Sequence, residues 1–420
     1  YEITCRDWSS DLCSSDLDKG LPVYSKEIAV LAFPHATNKV IRDAAAVVNL
    51  SGKTDRDGRL VWDVPAGAWV IARFVTSNTG QQLMVPSPNS NGLLVDHLDA
   101  NAAETHFRHI IDQLLTMRPS LDALRYMEVD SVEVSNQTDW TDSFVEEFRR
   151  CRGYDPIPYL PALKGRTFAD PQIAPRFQHD YRMTVSDLWI DGHYRASARF
   201  LNTYGMQLVA EAGHGGYPRT DPLRSLGAVD IPRGEFWNQR KNWVTKEAAR
   251  AAHVYGRPIV DAESFTGWRP WQDGPLEYKR LADTAFCAGL NRITFHTFAH
   301  TPPEGGMPGN MYHAGEHLNL NSTWWPLAGP MVSYFSRCSY LLQQGLPVAD
   351  VCFYYGDDAP NLVATRRIGP DSKRLDGATC AHCGRANPAP ATALGTGYDY
   401  DITDSEVIQN RMECKEGRLV

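Results

Sequence analysis

Acidic side chains stand where several short apolar runs of this sequence end. They are Asp130 with the nearby Glu133, Glu211 and Glu263. One such carboxylate taken alone is as often a helix cap or half of a structural ion pair. Several of them at comparable positions favour a shared site, because a buried carboxylate without a partner is costly. Two carboxyl groups, one protonated and one ionised, are what acid-assisted hydrolysis of a glycosidic bond requires.

Histidines and aromatic residues follow the same kind of run. His296 ends a fourth run, and His300 comes shortly after it. Trp268 lies in the loop after the third run, and Glu235-Phe-Trp237 follows a predicted turn at 230–232. Flat aromatic faces in such loops suit the stacking of pyranose rings, although packing against the core is the commoner role of a tryptophan.

The spacing of the apolar residues predicts the elements that would position these side chains. From about residue 91, runs typical of buried strands alternate with runs of helical periodicity. We predict strands at 124–130, 207–211, 258–263, 292–296 and 349–355, and helices at 102–115, 144–151, 176–202, 244–255, 275–288 and 326–344. This alternation favours a parallel sheet, and its extent favours a (β/α)8 barrel over residues 91–356. The carboxyl ends of barrel strands face one common site.

The flanking segments differ in pattern from this α/β region. Residues 18–90 contain short apolar runs split by Gly, Pro and Asp-Gly turn signals, which predicts an incomplete β-sandwich-like module. After residue 356 the pattern loosens, and we assign 357–420 to the start of a further C-terminal α/β or β domain. Residues 1–17 include a near-duplicated polar stretch without strand or helical period, which we interpret as a sequencing artefact.

Composition narrows the classes of function. The chain has 420 residues, with 42 basic and 50 acidic side chains and a formal charge of -8. This acidic balance, without a basic run, argues against a nucleic-acid partner. No apolar run reaches the length of about 18 residues that a membrane span needs. The sequence also lacks a Gly-x-Ser-x-Gly elbow, a phosphate-binding glycine loop and a His-Glu-x-x-His helix.

A series of motifs, in a fixed order along the chain, carries a family resemblance. The motifs are Gly58-Arg-Leu-Val-Trp62, Asp130-Ser-Val-Glu133, Arg152-Gly-Tyr-Asp-Pro156, Asp180-Tyr-Arg182, Asp230-Ile-Pro-Arg-Gly-Glu-Phe-Trp237, Ala262-Glu-Ser-Phe-Thr266, His296-Thr-Phe-Ala-His300 and Arg337-Cys-Ser-Tyr-Leu-Leu-Gln-Gln-Gly345. Each motif is weak alone, but the ordered set is specific. It resembles the α-L-rhamnosidases of glycoside hydrolase family 106 over residues 55–360.

The resemblance implies a (β/α)8 catalytic barrel, inversion at the anomeric carbon and a calcium ion at the site. Carried onto this sequence, it implies that Glu133 is the general acid and that Glu263 is the general base that activates water. Glu235 lies in an equally family-like motif and is the competing base or a calcium ligand. Asp130 and Asp180 are implied to hold sugar hydroxyls or to tune the acid.

The expected substrate is a terminal α-L-rhamnose on an oligosaccharide, polysaccharide or glycoside of plant or bacterial origin. We expect Trp268, His296 and His300 to contact it. We also expect a periplasmic or extracellular location, with any signal peptide hidden by the altered start of the chain. Two alternatives stay open: a barrel glycosidase that acts by retention on another sugar, and a carbohydrate-binding relative without catalysis. Carboxyl groups about 6.5–9.5 Å apart indicate inversion, and a separation of about 5–5.5 Å indicates retention.

Overall fold

The structure is a computed structural model that describes most of the chain. The described residues are 24–55, 58–82, 88, 92–118, 120–132, 139–213, 219–238, 244–269, 271–312, 314–315, 318–361 and 398–417, with the backbone of 2–3, 365–366, 375–376 and 418–419. The chain divides into two compact units. The first consists of residues 1–102 and 134–188, and the second of residues 103–133 and 189–420.

Eighteen strands are numbered here in chain order, counting only those of the described residues. They are β1 (Glu2–Ile3), β2 (Ser25–Pro34), β3 (Val40–Ile41), β4 (Val48–Asn49), β5 (Leu60–Val61), β6 (Trp69–Ser77), β7 (Tyr126–Val129), β8 (Thr167–Phe168), β9 (Gln207–Ala210), β10 (Ile231–Trp237), β11 (Asp261–Thr266), β12 (Arg292–Phe295), β13 (Val351–Tyr354), β14 (Thr365–Arg366), β15 (Leu375–Asp376), β16 (Tyr400–Thr403), β17 (Cys414–Lys415) and β18 (Arg418–Leu419).

The helices of the described residues are numbered in the same way. The α-helices are α1 (Ala100–Met117), α2 (Phe144–Arg152), α3 (Ile173–Trp189), α4 (Ala196–Asn202), α5 (Pro222–Gly227), α6 (Thr245–Val254), α7 (Pro275–Cys287), α8 (Gly329–Leu342) and α9 (Ser405–Asn410). A π-helical turn at Ile190–Arg195 joins α3 to α4, so the predicted helix at 176–202 is one continuous helical run. Short 3-10 helices lie at Ala44–Ala46, Ser51–Lys53, Ile157–Lys164, Pro303–Gly305 and Trp325–Leu327.

The first unit is β in part, as the sequence predicted for its N-terminal region. β2 pairs antiparallel with β4 on one side and with β6 on the other. Alternate residues of β2 point to a small core that contains Val30, Ala32, Leu50, Leu60 and Trp62. The intervening residues Ala29, Leu31 and Phe33 are buried as well, so β2 is covered on both faces.

A five-stranded parallel sheet forms the centre of the second unit. Its spatial order is β7, β9, β10, β11 and β12, which is also the order of these strands along the chain. Helical segments separate the successive strands, as βα units require. Because every new strand is added on the same side, the twisted sheet curls into half of a barrel.

β10 was not predicted from the sequence, where 230–232 reads as a turn. Pro232 and Gly234 interrupt the apolar pattern, and proline is rare inside a sheet. In the structure, Pro232 pairs in register with Ala210 of β9, and all residues from Ile231 to Phe236 are buried. Burial on both faces explains the missing alternation, because strands of a parallel sheet lack a solvent side.

β10 packs closely against the beginning of α6. A Cβ atom at Gly234 would lie 2.6 Å from the carbonyl oxygen of Val244 and 2.9 Å from the Cα atom of Thr245. Such distances are too short for any larger side chain unless the helix moves. The absence of a side chain at Gly234 therefore lets α6 hold β10, and with it Arg233 and Glu235, in place.

β13 takes a different position from the one that the sequence predicted. The predicted strand at 349–355 was expected to belong to the barrel region, but β13 pairs in parallel with β16 in a separate two-stranded sheet. Asp399 next to β16 forms an ion pair with Lys246 of α6 at 2.7 Å. The strand itself is confirmed, but an apolar pattern does not determine which strand it pairs with. The domain boundaries at residues 90 and 356 stay a prediction.

Candidate active site

Carboxylates converge at the carboxyl ends of the parallel strands. Asp130 directly follows β7, Glu211 directly follows β9, and Glu263 lies inside β11. One oxygen atom of each of these three side chains lies within 4.8 Å of the other two. Glu235 of β10 pairs in register with Glu263, which brings a fourth carboxylate to the same edge. The carboxyl ends of parallel strands share one edge, so residues distant in sequence meet there.

Burial and mutual repulsion govern the charge of this carboxylate cluster. Burial raises the pKa of Glu211 well above its usual range, and the charges of Glu263 and Asp130 raise it further. Burial also raises the pKa of Glu263, whereas His296 and a hydrogen bond from Thr266 oppose that rise. Carboxyl groups in such unequal surroundings can hold different protonation states at one pH, as acid–base catalysis requires.

Thr266 and His296 hold the side chain of Glu263. The Thr266 hydroxyl donates a hydrogen bond of 2.5 Å to Glu263 Oε1. His296 Nδ1 lies 3.2 Å from the same oxygen and 3.2 Å from Thr266 Oγ1. The Glu263 side chain is 14% exposed, so it is reachable from solvent while remaining oriented by its neighbours. These contacts fix the direction in which the carboxylate points.

A β-bulge at Phe265 makes the contact between Thr266 and Glu263. The register of β10 against β11 slips at this point, and Phe265 adopts a φ of 70°. In a regular strand Thr266 would face away from Glu263, because successive side chains alternate between the two faces. The bulge turns Phe265 into the aromatic core, where its ring lies 5.0 Å from that of Phe236. Thr266 is thereby returned to the face that carries the carboxylates.

Glu235 connects the carboxylate cluster to a pair of tryptophans. Its side chain is buried, and Glu235 Oε1 accepts a hydrogen bond from the indole N–H of Trp237. The ring of Trp237 lies 5.0 Å from that of Trp268 at an interplanar angle of 43°. Trp268 is 51% exposed, so one tryptophan of the pair presents a flat apolar surface to solvent.

A layer of charged side chains lies on the same face of the sheet, two residues before the carboxylates along the strands. Arg233 donates to the buried Asp261 at 2.9 Å and also to Glu128. Asp261 accepts further hydrogen bonds from Arg292 and Thr294, each at 2.9 Å. This layer joins β7, β10, β11 and β12 directly beneath the residues that form the cluster.

Comparison with known protein families shows to which family the chain belongs. The sequence profile of Glyco_hydro_106, the α-L-rhamnosidase family, matches residues 16–374, which is most of the chain. The chain belongs to glycoside hydrolase family 106. The strand-end carboxylates are therefore the candidate catalytic groups of a family 106 glycosidase.

Two relatives show how far the likeness to family 106 proteins extends. The solved structure of a rhamnosidase from Novosphingobium sp. PP1Y is 30% identical, matches 90% of this chain and 36% of its own, and superposes with a TM-score of 0.76. A curated protein of Formosa agariphila, named "Putative beta-glucuronidase", is 29% identical and matches 94% of this chain and 34% of its own length. The chain thus spans about a third of the length of both relatives.

The structure brings together most of the residues that the sequence assigned to the family 106 site. Asp130, Glu235, Glu263 and His296 lie at one edge of the sheet, and Trp268 is linked to them through the tryptophan pair.

The structure does not show the other assigned residues at this edge of the sheet. Glu133, the predicted general acid, lies outside the described residues. Asp180 belongs to the first unit, where it accepts a hydrogen bond of 2.8 Å from the Tyr154 hydroxyl. His300 is exposed, and its carbonyl oxygen accepts a hydrogen bond of 2.8 Å from Asn310.

Three residues of this site received no role from the sequence. Glu211 was noted as a strand-end carboxylate but was not assigned to the site, although its position after β9 carried that signal. Arg233 and Thr266 lie inside the family-like motifs, but no function was predicted for either residue. Their roles depend on the register of β10 against β11 and on the bulge, which periodicity does not reveal.

Proposed function

We propose that this protein removes terminal α-L-rhamnose from glycosides or from oligo- and polysaccharides, with inversion at the anomeric carbon. One observation carries the proposal: Asp130, Glu211 and Glu263 converge within 4.8 Å at the carboxyl edge of the sheet in a family 106 chain. Convergence on one edge favours catalysis over a carbohydrate-binding relative, in which the carboxylates would have no reason to meet.

In the proposed reaction, two carboxyl groups act on opposite sides of the sugar ring. Glu133 would protonate the leaving oxygen as the glycosidic bond breaks, an assignment that is supported by the family resemblance alone. Glu263 would take a proton from the water that attacks the anomeric carbon. Its contacts with Thr266 and His296 support this role, since they orient one oxygen and leave the carboxylate partly open to solvent.

Glu235 is the competing candidate for the general base. Its side chain is 6% exposed, and one oxygen is held by the indole of Trp237. A base must reach its water within hydrogen-bond distance, which favours the more open Glu263. We therefore propose that Glu235 positions Trp237 and adds negative charge at the site.

The carboxylate cluster suits a calcium ion. Its donors are hard carboxylate oxygens, which calcium prefers, and burial raises the pKa of both Glu211 and Glu263, so a cation at this place would stabilise their charged forms. Asp130 and Glu211 would hold the ion beside Glu263, whose second oxygen stays available to the attacking water. When bound, calcium would offset their charge and orient sugar hydroxyls. Titration calorimetry of chelator-treated protein checks this: calcium binds the wild-type protein, and Glu211→Gln binds it at least about tenfold more weakly.

The remaining assignments concern sugar contacts and architecture. We propose that His296, His300 and Asp180 contact sugar hydroxyls and that Trp268 contacts the substrate. The half-barrel sheet would belong to a (β/α)8 barrel over residues 91–356, flanked by a β-sandwich-like module at 18–90 and a further domain from residue 357. No helix in the described part of the chain is long and apolar enough to cross a membrane. A periplasmic or extracellular location is part of the proposal.

A second candidate function is hydrolysis of β-glucuronides, which the name of the Formosa agariphila relative suggests. A glucuronide carries a carboxylate, which the negative charges of the cluster would repel unless a cation intervened. The proposed calcium ion would be such a cation, so charge does not decide between the two sugars; the α-L-rhamnosidase family profile and the solved rhamnosidase structure favour rhamnose. Retention on another sugar is a third alternative.

A panel of aryl glycosides tests these functions against one another. We expect release of the aryl group from the α-L-rhamnoside, loss of that release after chelation and recovery on addition of calcium. Release from the β-glucuronide alone would contradict the proposal and establish the second candidate. Release from neither would contradict both.

A further inference from the structure

We propose that Trp237 and Trp268 form an aromatic platform that binds the leaving-group side of the substrate, and that its occupant is a second pyranose ring. This inference rests on the proposed function and narrows the substrate class from any α-L-rhamnoside to rhamnosyl oligosaccharides. The platform is defined by these two residues.

The platform combines an exposed apolar face with a rigid support. Trp268 is 51% exposed, although a tryptophan in a soluble protein usually hides most of its surface. Its ring rests against Trp237, which is itself held by the hydrogen bond from its indole to Glu235. A chain of direct contacts thus runs from the carboxylate edge of the sheet to the exposed ring.

The backbone around Trp268 is held on both sides. Asn238 N donates to the carbonyl oxygen of Thr266 at 2.9 Å, and Gly267 N donates to that of Ala314 at 3.0 Å. The Asn238 side chain also donates to Asp273 at 3.1 Å. A ring that is ordered before binding loses little entropy when a ligand covers it, which suits a binding surface.

The chemistry of the platform selects a sugar as its occupant. The negative face of an indole attracts polarised C–H groups, and a pyranose presents several of them on one face. Polar residues follow Trp268 in the chain: Arg269 contacts Gln272 at 3.3 Å and Asp273 at 3.9 Å. An apolar ring with polar residues next to it in the chain matches a sugar ring, whose hydroxyls lie around its edge.

The position of the platform favours the leaving group over the terminal rhamnose. The sugar that reacts must reach Glu263, whose side chain is only 14% exposed. Trp268 contacts Trp237, which contacts Glu235, and Trp268 is far more exposed than Glu235 or Glu263, so we place it on the outer side of the site. In an enzyme that removes a terminal sugar, the outer side of the site binds the leaving group to which that sugar is attached.

Two substrates that differ only in the leaving group test the platform. Methyl α-L-rhamnoside has no second ring, whereas an α-L-rhamnopyranosyl glucose disaccharide has one. For Trp268→Ala we expect KM for the disaccharide to rise about tenfold, with kcat and all constants for the methyl glycoside changed less than about twofold. Trp268→Phe keeps a flat ring and should recover most of the affinity. Tyr340→Ala, on the exposed side of α8, is the matched control.

A binding measurement separates failure of the platform from failure of the proposed function. A thio-linked analogue of the disaccharide resists hydrolysis, and titration calorimetry should show it binding about tenfold more weakly to Trp268→Ala than to the wild-type protein. Equal losses on both substrates, or unchanged binding of the analogue, would overturn the platform. If the wild-type protein hydrolyses neither substrate, the proposed function is wrong, and the analogue alone decides whether the platform binds a sugar.

Discussion

Glu263 is the residue on which the proposed chemistry depends most. Glutamine in its place can still accept the hydrogen bond from Thr266 but has no charge with which to activate water. We expect Glu263→Gln to lower kcat for an aryl rhamnoside about 10³-fold while KM changes less than about threefold. Initial-rate kinetics on purified, folded protein give both constants.

Two further variants make that prediction specific. Glu146→Gln alters an exposed glutamate of α2 and should leave both constants unchanged. Glu235→Gln should weaken the contact with Trp237 and lower kcat by about tenfold, less than Glu263→Gln does. If Glu235→Gln lowers kcat about 10³-fold and Glu263→Gln lowers it only about tenfold, Glu235 is the base and our assignment is wrong.

The convergence of the carboxylates could be predicted from the sequence, but their support could not. Strand-end positions were enough to group Asp130 and Glu263, because parallel strands bring their carboxyl ends together. The contact between Thr266 and Glu263 depends on the bulge at Phe265. A single residue with positive φ inside an apolar run leaves no mark on periodicity.

Among the elements, the charged layer beneath the site links strands of the parallel sheet through buried charges. Arg233 is 5% exposed and its main partner Asp261 is fully buried. Removing one partner of a buried pair leaves the other charge uncompensated, so we expect Arg233→Met to lower the free energy of unfolding by about 3–5 kcal/mol. Urea denaturation followed by tryptophan fluorescence measures the loss.

A surface ion pair supplies the control for that prediction. Lys415 and Glu413 lie 2.7 Å apart with more than half of each side chain exposed, so Lys415→Met should cost less than about 1 kcal/mol. Arg233→Lys keeps the charge but lacks the forked guanidinium group. Its loss in the free energy of unfolding should therefore fall between those of Arg233→Met and Lys415→Met. Equal losses for Arg233→Met and Lys415→Met would show that the layer does not hold the strands.

The helices and most strands of the parallel sheet were predictable because their apolar residues are periodic. The predicted helix at 275–288 and strand at 292–296 match α7 (Pro275–Cys287) and β12 (Arg292–Phe295) within one residue at each end. β10 was not predicted because Pro232 and Gly234 interrupt its apolar pattern, although both residues fit the packing around the strand. The pairing of β13 with β16 depends on tertiary contacts, which no local pattern encodes.

Across the whole molecule, buried acids make stability depend on pH. Burial raises the pKa of Glu247 to about 8, and burial raises that of Asp221 to about 7. Both lie above the values of the unfolded chain, so the folded state binds more protons in between. The stability that these two groups contribute is therefore greatest below the ordinary pKa of a carboxyl group and is lost as pH rises towards 8.

Glutamine at position 247 removes one of these titrations. Each pH unit between the unfolded and the folded pKa of a group changes the free energy of unfolding by about 1.4 kcal/mol. Between about pH 5 and pH 8, the free energy of unfolding of Glu247→Gln should therefore fall by about 2–4 kcal/mol less than that of the wild-type protein. Urea denaturation at both pH values measures this, with the exposed Glu304→Gln as control. A parallel loss in wild-type protein and Glu247→Gln would contradict the role of this group.

The central proposal for the whole molecule is that the carboxylate edge of the half-barrel is an inverting glycosidase site. The most direct test follows hydrolysis of methyl α-L-rhamnoside by proton NMR and reads the anomeric signal of the first rhamnose released. We expect β-L-rhamnose first, with the α anomer appearing only by mutarotation, and release about 10³-fold slower by Glu263→Gln. Initial release of α-L-rhamnose, or undiminished release by Glu263→Gln, would contradict it.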